Sequence, residues 1–294
     1  MKKKIDTLLL SGGATRGVVY CGIFKRLQEI ADLEENNIKI DIKTVGCVSV
    51  GCIFGLAYVI GYTYKEMQDE VIQKNFAELR EIKIANLISK FGIDSGKRIM
   101  AWIESIMAKK GFSADTTFAE LYEKTGIQYI VLATNLHTYE LTTFDYIHTP
   151  DMEVVKAIRM SISIPFVFTA EKHNGLVHVD GGLVSNYPIH LLEDKLSTTL
   201  GVKILSHDPV KNDITEIGTY IFHVMKCLMI QKEKYTTESK KFHNHTIYVE
   251  AGPLVKSLNF SMTTREKIDL IKLGYKSAHE YFERIITEIK NGDI

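Results

Sequence analysis

Two kinds of segment alternate along the 294-residue chain, short continuous apolar runs and longer segments with apolar residues three or four positions apart. The apolar runs predict buried strands, and the periodic segments predict helices packed against them. The predicted strands are Ile5–Leu10, Ile38–Val45, Tyr129–Thr134, Glu140–Tyr146, Leu176–Asp180, Thr199–Leu205 and Thr246–Glu250. The predicted helices are Tyr20–Ala31, Cys52–Ile60, Lys65–Ile82, Lys97–Ala108, Val154–Ile158, Ile214–Gln231 and Arg265–Lys290. This alternation predicts an α/β chain with helices inserted between parallel strands.

The composition is that of an ordinary globular protein, because 45% of the residues are hydrophobic and 24% are charged, which allows a sizeable core. The 36 basic and 36 acidic residues give a formal net charge of zero. No long-range field therefore favours nucleic acid or anionic lipid, and we expect no nucleic-acid partner. Any contact with a membrane would depend on a local apolar or basic patch.

The N-terminal residues do not predict a signal peptide, because Asp6 and Thr7 interrupt the apolar run and only Leu8–Leu10 is continuous. The uncharged interval Thr44–Tyr64 contains four glycines, so we interpret it as a strand and a helix and not as a membrane span. The four cysteines show no disulfide-like spacing. We expect an intracellular, cytoplasmic protein that associates with membranes peripherally.

A glycine-rich loop, Ser11-Gly12-Gly13-Ala14-Thr15-Arg16-Gly17, lies between the first predicted strand and the first predicted helix. Its backbone N–H groups and the positive end of the helix dipole suit an anion. That anion is either a bound phosphate or the oxyanion that forms when an acyl carbonyl is attacked. The spacing matches neither the dinucleotide-binding motif nor the P-loop, and a tight turn without a ligand explains the loop as well.

A serine turn, Val45-Gly46-Cys47-Val48-Ser49-Val50-Gly51, lies between the second predicted strand and a helix. A serine at the apex of such a turn, followed by a glycine, can present its hydroxyl above the sheet as a nucleophile. A small-residue turn inside a buried core accounts for the heptapeptide equally well. We interpret Cys47, which precedes the apex by two positions, as core packing.

Asp180 ends a predicted strand and is followed by Gly181 and Gly182. At that position its carboxylate would lie at the rim of the sheet, where the catalytic groups of open α/β sheets collect. An aspartate that only forms a turn is the alternative explanation.

Taken in order, Gly12–Gly17, Cys47–Gly51 and Asp180–Gly182 resemble the glycine loop, the nucleophile elbow and the Asp-Gly-Gly motif of the patatin-like phospholipase family. Two more segments, Ala157–Pro165 and Ala133–Leu136, are similar to the family's small-residue segment before a proline and to the end of its central strand. The resemblance implies a three-layer α/β fold with a mostly parallel central sheet between helices. It also implies a calcium-independent lipid acyl hydrolase of the phospholipase A or lysophospholipase type, with no cofactor and no metal. Its substrate would be a phospholipid or another lipid ester.

The resemblance also implies one domain, 1–294, with its motifs in about residues 5–205. A helical cap or lid would occupy about residues 65–125, and a helical extension about residues 212–294. No linker rich in glycine or proline divides the chain, and the first proline is Pro150.

The resemblance makes Ser49 the nucleophile and Asp180 the base that accepts its proton, so that no histidine is required. The N–H groups of Gly12, Gly13 and Ala14 are expected to hold the oxyanion. The residues expected to support the site are Arg16, Gly17, Gly51, Gly181 and Gly182. Arg16 would fix the loop, face a phosphate group or form a structural ion pair.

The chain departs from the family pattern at two positions. Ala14 stands where the third glycine of the loop would fall, and Cys47 stands where the first glycine of the elbow would fall. An alanine tolerates a positive φ poorly, and Cys47 would pack between strand and helix at some strain. These departures motivate the alternative function, a weakly active or inactive protein of the same fold that binds lipid or a partner.

A Ser-His-Asp triad is the rival catalytic scheme. Histidines that follow an acid in the chain, as this scheme requires in α/β-hydrolases, are His207, His223, His243, His245 and His279. None of them lies in a recognisable loop after a predicted strand, so the Ser-Asp pair is favoured. His243 and His245 form an H-x-H pattern, which is too nonspecific to predict a metal site.

Four apolar residues in the predicted cap, Ile84, Leu87, Ile88 and Phe91, recur at helical spacing and are accompanied by Lys83 and Lys90. Such a face in a lipase-like fold suits a lid or a membrane-docking surface. We expect core burial to explain it instead.

Overall fold

The computed structural model describes residues 3–33, 37–205, 220, 223–231, 239–252, 254–256 and 258–291. The strands within these residues are β1 (Lys3–Leu10), β2 (Ile38–Val48), β3 (Gly92–Asp94), β4 (Gln128–Asn135), β5 (Glu140–Phe144), β6 (Phe166–Phe168), β7 (Glu171–His173), β8 (Leu176–Asp180), β9 (Thr199–Ile204) and β10 (Thr246–Val249).

The helices are α1 (Val19–Asp32), α2 (Val50–Val59), α3 (Tyr64–Gln73), α4 (Asn86–Lys90), α5 (Lys97–Lys109), α6 (Phe118–Thr125), α7 (Val154–Ser161), α8 (Gly182–Ser185), α9 (223–231), α10 (Lys240–His243) and α11 (Thr264–Asn291). Shorter 3-10 segments cover Ala14–Val18, Phe76–Leu79 and Ile189–Thr198. Part of the helix predicted over 214–231 lies outside the described residues.

The main sheet has the strand order β10-β9-β1-β2-β4-β8-β7, with β5 also paired to β4. The four pairings from β10 to β4 are parallel, whereas β5, β7 and β8 pair antiparallel. β3 and β6 form a separate parallel pair. The predicted α/β fold, with a mostly parallel central sheet and helices, is confirmed.

Both faces of the sheet are buried, which explains why the strands read as continuous apolar runs. Successive side chains of β1 point to opposite faces, so Leu8 and Leu10 lie on one side and Leu9 on the other. Leu8 and Leu10 belong to the larger core, which includes residues of α1, α2 and α11. Leu9 packs with Tyr187, Ile189 and Phe242 in a smaller core on the other face.

Helix boundaries follow capping signals in the sequence. α3 and α6 each begin at a complete capping box, formed by Thr63 with Glu66 and by Thr117 with Glu120. α6 ends at Gly126, which adopts the left-handed conformation typical of a helix end. Both helices lie in the connection between β2 and β4, where the sequence predicts a helix at α3 but none at α6.

The prediction that the apolar residues around α4 are buried in the core is wrong. Ile88 is 89% exposed and Ile84 is 75% exposed, and no residue of α4 is buried. Only Leu87 and Ile88 of the four lie in α4, whereas Ile84 precedes the helix and Phe91 follows it, and none of the four is buried by the described chain.

No helix in the described part of the chain is long and apolar enough to cross a membrane. The uncharged interval that a hydropathy scan would select forms the end of β2 and all of α2, as expected.

Candidate active site

The carboxyl ends of β2 and β8 meet along one edge of β4. Val48 pairs with Leu132 in parallel register, and Asp180 pairs with the next residue, Ala133, in antiparallel register. The other edge of β4 is occupied by β5 at these positions, so β8 continues the edge where β2 stops. Ser49 follows Val48 directly, and the sheet therefore brings Ser49 beside Asp180.

Ser49 occupies a strained turn between β2 and α2. Its backbone has φ 53° and ψ −128°, a region that non-glycine residues rarely adopt. The tight approach of α2 to β1 requires the glycine that follows, because a Cβ at Gly51 would lie 2.6 Å from the Leu10 carbonyl oxygen. This geometry is the strand-to-helix turn of a nucleophile elbow.

The Ser49 hydroxyl donates a hydrogen bond of 2.6 Å to Oδ2 of Asp180. The backbone N–H of Ser49 donates to Oγ of Ser161 at 2.9 Å, and the Ser161 hydroxyl in turn donates to the Leu132 carbonyl at 2.6 Å. Both the hydroxyl group and the strained backbone of Ser49 are therefore held by defined partners.

Asp180 is buried and its carboxylate has two partners. Oδ2 accepts from Ser49, and Oδ1 accepts from the Gly182 N–H at 2.8 Å. Burial raises the pKa of Asp180 to about 6, against the two hydrogen bonds, which lower it. The carboxylate is thus ionised at neutral pH yet basic enough to accept a proton.

The glycine loop contacts the nucleophile closely. A Cβ at Gly12 would lie 3.0 Å from Cβ of Ser49 and 2.2 Å from Oδ1 of Asn186, so a larger residue there would displace the Asn186 side chain and crowd Ser49. The Gly12 N–H donates to the Asn186 carbonyl at 3.2 Å. The amide of Gly12 is therefore already engaged, contrary to the expectation that it faces an oxyanion.

Gly13 and Ala14 line the cavity that contains Ser49 and Asp180. Their N–H groups have no hydrogen-bond partner among the described residues. Ala14 has φ 49°, so the residue in the place of the family's third glycine does adopt the left-handed region. The two amides sit at the start of the 3-10 segment that leads into α1, where helix N–H groups lack internal acceptors.

Two cavities meet at Ser49. One is lined by polar groups, among them Arg16, Asp180, Asn186 and Lys226, together with apolar side chains. The other is lined almost entirely by apolar side chains of α2, α5 and the segment around Phe168.

A model of the family described as patatin-like phospholipase matches residues 8–193, which contain both members of the pair and the glycine loop. The chain belongs to the patatin-like phospholipase family.

Relatives of this patatin-like chain include two viral proteins. The protein named Probable lipid hydrolase 463L, of Invertebrate iridescent virus 6, is 34% identical over 195 residues, which are 64% of this chain and 63% of that protein. Uncharacterized protein R571 of Acanthamoeba polyphaga mimivirus is 29% identical over 298 residues, covering 97% of this chain and 96% of R571.

Two solved structures share the fold. VipD from Legionella pneumophila superposes with a TM-score of 0.59 at 18% identity, covering 96% of this chain and 67% of VipD. The type III effector protein ExoU superposes with a TM-score of 0.52 at 14% identity, and the match covers 96% of this chain and 53% of ExoU. At these identities the likeness concerns the fold alone.

The remaining predicted residues of the patatin-like chain lie around the pair. Arg16 is buried, and its Nε donates to the Val255 carbonyl at 2.7 Å, which ties the loop to the segment before α11. Burial lowers the pKa of Arg16 to about 10, so the guanidinium stays charged at neutral pH. Gly17 lies against the side chain of Val50, the residue after the nucleophile. Gly181 and Gly182 start α8 directly after Asp180.

Cys47 is not a point of strain in this elbow. It lies in β2 outside the left-handed region, and its buried thiol donates to the Ile130 carbonyl at 3.1 Å. Burial raises the pKa of the thiol, which keeps it protonated. This buried position agrees with the interpretation of Cys47 as a core residue.

No histidine of the described residues lines either cavity at Ser49. His207, one candidate of the rival triad, lies outside the described residues. Within the described chain, no group of three or more His, Cys, Asp or Glu side chains is arranged to hold a metal ion.

Sequence reasoning missed three residues that hold the site, namely Ser161, Asn186 and Lys226. Ser161 and Asn186 act through contacts with residues 112 and 174 positions away, which no local pattern reveals. Lys226 lines the more polar cavity. Its pKa is lowered mainly by burial and to a smaller extent by the positive charge of Arg16. The small-residue segment before Pro165 draws attention to Ser161, but no sequence pattern predicts its contact with the Ser49 amide.

Proposed function

We propose that this chain hydrolyses carboxylic ester bonds of lipids, as a phospholipase A or lysophospholipase, through a Ser49–Asp180 dyad. The observation that carries the proposal is the 2.6 Å hydrogen bond between the Ser49 hydroxyl and the buried Asp180 carboxylate. A serine at a strained elbow with a basic group in direct contact has the two features that nucleophilic catalysis needs.

In the proposed reaction, Ser49 Oγ attacks the ester carbonyl while Asp180 Oδ2 accepts its proton. The tetrahedral intermediate collapses, and the protonated Asp180 gives the proton to the departing alcohol. The acyl group is then bound to Ser49 as an ester. Water attacks this acyl-enzyme while Asp180 accepts one of its protons. The bond between the acyl carbon and Ser49 Oγ then breaks, Asp180 returns the proton to Oγ, and the fatty acid leaves.

We assign the oxyanion hole to the N–H groups of Gly13 and Ala14. Three observations support this choice over Gly12 or the nucleophile's own amide. The amides of Gly13 and Ala14 have no partner among the described residues, whereas Gly12 donates to Asn186 and Ser49 donates to Ser161. Preorganised donors of this kind need no rearrangement when the negative charge develops.

The two cavities suit the two halves of a lipid ester. The apolar cavity would take the acyl chain, because its lining offers almost no hydrogen-bonding group. Trp102 forms part of that lining, and its buried indole N–H has no partner among the described residues. The more polar cavity, with Arg16 and Lys226, would take the alcohol half, including an anionic head group.

A weakly active or inactive lipid-binding protein is the alternative function. Two departures from the family pattern, Cys47 and Ala14, motivate this alternative. Cys47 does not favour it, because that residue packs without strain. The left-handed Ala14 is the observation that still favours it.

Turnover assays separate the two functions. Purified protein is incubated with a fluorogenic phospholipid and, separately, with a water-soluble short-chain ester, beside Ser49→Ala and Asp180→Asn. We expect turnover by the wild type, none by Ser49→Ala, and a rate lower by about 10²–10⁴-fold for Asp180→Asn. Equal turnover by wild type and Ser49→Ala would refute the dyad, and no turnover by a folded wild type would favour the binding protein.

A further inference from the structure

The segment between Ile82 and Asp94 is a closed loop that projects from the fold. Ile82 and Asp94 form an antiparallel bridge, and the Lys83 N–H donates to the Ile93 carbonyl at 2.6 Å. The base of the loop is fixed, because the buried Asp94 carboxylate accepts from Arg80 at 2.7 Å and from the Gly96 N–H at 2.8 Å. α4 forms the tip of this anchored loop.

The tip exposes apolar side chains that a globular fold normally buries. Ile84, Ile88 and Phe91 are 75%, 89% and 60% exposed, and Leu87 between them is 38% exposed. Phe166, which pairs with Gly92 across β3 and β6, is 44% exposed. We call these five residues the docking face. Single exposed apolar residues are common, but a cluster of this kind marks an interaction surface.

Two aromatic residues of the docking face have strained backbones. Phe91 has φ 62° and Phe166 has φ 66°, although bulky residues rarely adopt positive φ. Their backbones are joined, because the Phe166 N–H donates to the Phe91 carbonyl at 3.2 Å. Strain of this kind persists when the surrounding structure enforces it, and it is a common mark of a functional surface.

The docking face is bordered by positive charge. Lys83 directly precedes Ile84, Lys90 directly precedes Phe91, and both lysines are exposed. Residues 81–98 contain four basic and two acidic side chains, in a chain with no net charge. One of these acids, Asp94, is buried and paired with Arg80, and the other, Glu81, pairs with Lys83 at 3.1 Å. The local charge therefore favours an anionic surface.

The docking face adjoins the active site. Phe166 follows Ile164 and Pro165, which line the cavity that contains Ser49 and Asp180. Below the loop, the Arg159 guanidinium donates to the carbonyls of Ser95 and Thr169 and so connects β3 and β6 to α7. α7 carries Ser161, the partner of the Ser49 amide.

We propose that the docking face binds the surface of a lipid bilayer that contains anionic lipids. The apolar side chains enter the region between head groups and acyl chains, while Lys83 and Lys90 contact the negative head groups. This places the mouth of the Ser49 cavity at the bilayer, where a lipid ester would enter. That docking delivers a substrate to Ser49 rests on the proposed function, but the binding of the docking face to a bilayer does not require turnover.

The experiment measures vesicle binding by the full chain carrying Ser49→Ala, which prevents hydrolysis of the vesicle. The vesicles are unilamellar and consist of phosphatidylcholine alone or of phosphatidylcholine with phosphatidylserine. Flotation gives the bound fraction for this protein and for the same protein carrying Ile84→Asp and Ile88→Asp. We expect the double substitution to lower the partition coefficient by at least tenfold, roughly the value of one fully buried aliphatic side chain.

The matched control is Leu33→Asp. Leu33 is a 50% exposed aliphatic residue that follows α1 and precedes the start of β2, at the end of the sheet opposite Ser49. Leu33→Asp should bind vesicles like the parent. Lys83→Gln with Lys90→Gln should weaken binding to the anionic vesicles by about fivefold per lysine and leave binding to pure phosphatidylcholine nearly unchanged.

Turnover of a soluble short-chain ester, measured with Ser49 intact, tells whether the variants are folded. Wild-type rates for Ile84→Asp with Ile88→Asp, together with lost flotation, support the docking face. Equal flotation of parent and double variant, or no flotation of the parent on anionic vesicles, overturns it. The proposal is also overturned if the parent forms a dimer that the double substitution dissociates and the parent binds no vesicles. The docking face would then bind a second copy of this chain. If the wild type binds vesicles but cleaves no ester, only the proposed function fails.

Discussion

The backbone N–H of Ser49 donates to the hydroxyl of Ser161 at 2.9 Å, and this contact fixes the elbow from outside the turn. The strained backbone of Ser49 must be held by its surroundings, because isolated residues do not stay in such a conformation. Ser161 also donates to the Leu132 carbonyl, so it connects α7 to the elbow and to β4. We therefore regard Ser161 as a positioning residue for the nucleophile.

Ser161→Ala should lower kcat by about 10- to 100-fold with little change in KM, because the nucleophile loses its alignment while the substrate cavities stay intact. The orphaned Ser49 amide should also lower the free energy of unfolding by about 1–3 kcal/mol. Steady-state kinetics and denaturant unfolding measure the two effects. Ser113→Ala, a change of the same size at an exposed position away from the cavities, should leave both quantities unchanged, and a matching loss there would contradict the assignment.

The activity should depend on pH through Asp180. The carboxylate must be ionised to accept the Ser49 proton, and burial raises its pKa to about 6. On a water-soluble ester, kcat/KM should rise tenfold per pH unit below about pH 6 and level off above it. A rise centred near pH 4, the usual value for an exposed aspartate, would show that Asp180 is not the titrating base.

Asp180→Asn should abolish most activity and yet stabilise the fold at neutral pH. The folded-state pKa of Asp180 lies above its unfolded value near 4, so the folded protein binds the proton more tightly. Ionised Asp180 therefore destabilises the fold, fully above about pH 6 and not at all below about pH 4. Its removal should raise the free energy of unfolding by up to about 3 kcal/mol at about pH 8.

Denaturant unfolding of wild type and Asp180→Asn at about pH 8 and about pH 4 measures this difference. The gain should shrink at the lower pH, where the wild-type carboxyl is already protonated. The same difference at both pH values would mean that it does not come from the buried charge.

Ala14→Gly should raise the free energy of unfolding by about 1 kcal/mol or less, because glycine adopts a φ of 49° without the steric cost that alanine has there. The greater freedom of glycine in the unfolded chain offsets part of this gain. Activity should be kept or increased, since the amide at position 14 is preserved. Ala14→Val, which disfavours a positive φ more strongly, should lower both kcat and stability. Equal behaviour of the two variants would show that this backbone conformation is unimportant.

The fold and the two residues Ser49 and Asp180, which the structure brings into contact, could be predicted because their signals are local. Each apolar run of the parallel strands, and each of the motifs at Ser49 and Asp180, consists of a few consecutive residues, and strand ends of one sheet meet at one rim. The register of β2 and β8 on β4, which places the pair in contact, follows from long-range pairing that the sequence does not display.

Other features of the site depend on contacts that have no local pattern. The glycine loop predicts that the Gly12 N–H faces the oxyanion. In the structure that N–H donates to the carbonyl of Asn186, a residue 174 positions away in the sequence. The apolar spacing of Ile84 and Ile88 predicted a helical face, but periodicity alone cannot tell whether the rest of the fold covers it. The structure leaves that face exposed.

Covalent labelling tests the central claim, that Ser49 is a nucleophile activated by Asp180. Wild type, Ser49→Ala and Asp180→Asn are incubated with a fluorophosphonate, and intact-mass spectrometry follows the adduct over time. We predict one adduct on the wild type, located at Ser49 by peptide mapping, none on Ser49→Ala, and formation on Asp180→Asn slower by about 10²–10⁴-fold. An adduct on Ser49→Ala at the wild-type rate, or no adduct on folded wild type, would contradict the account.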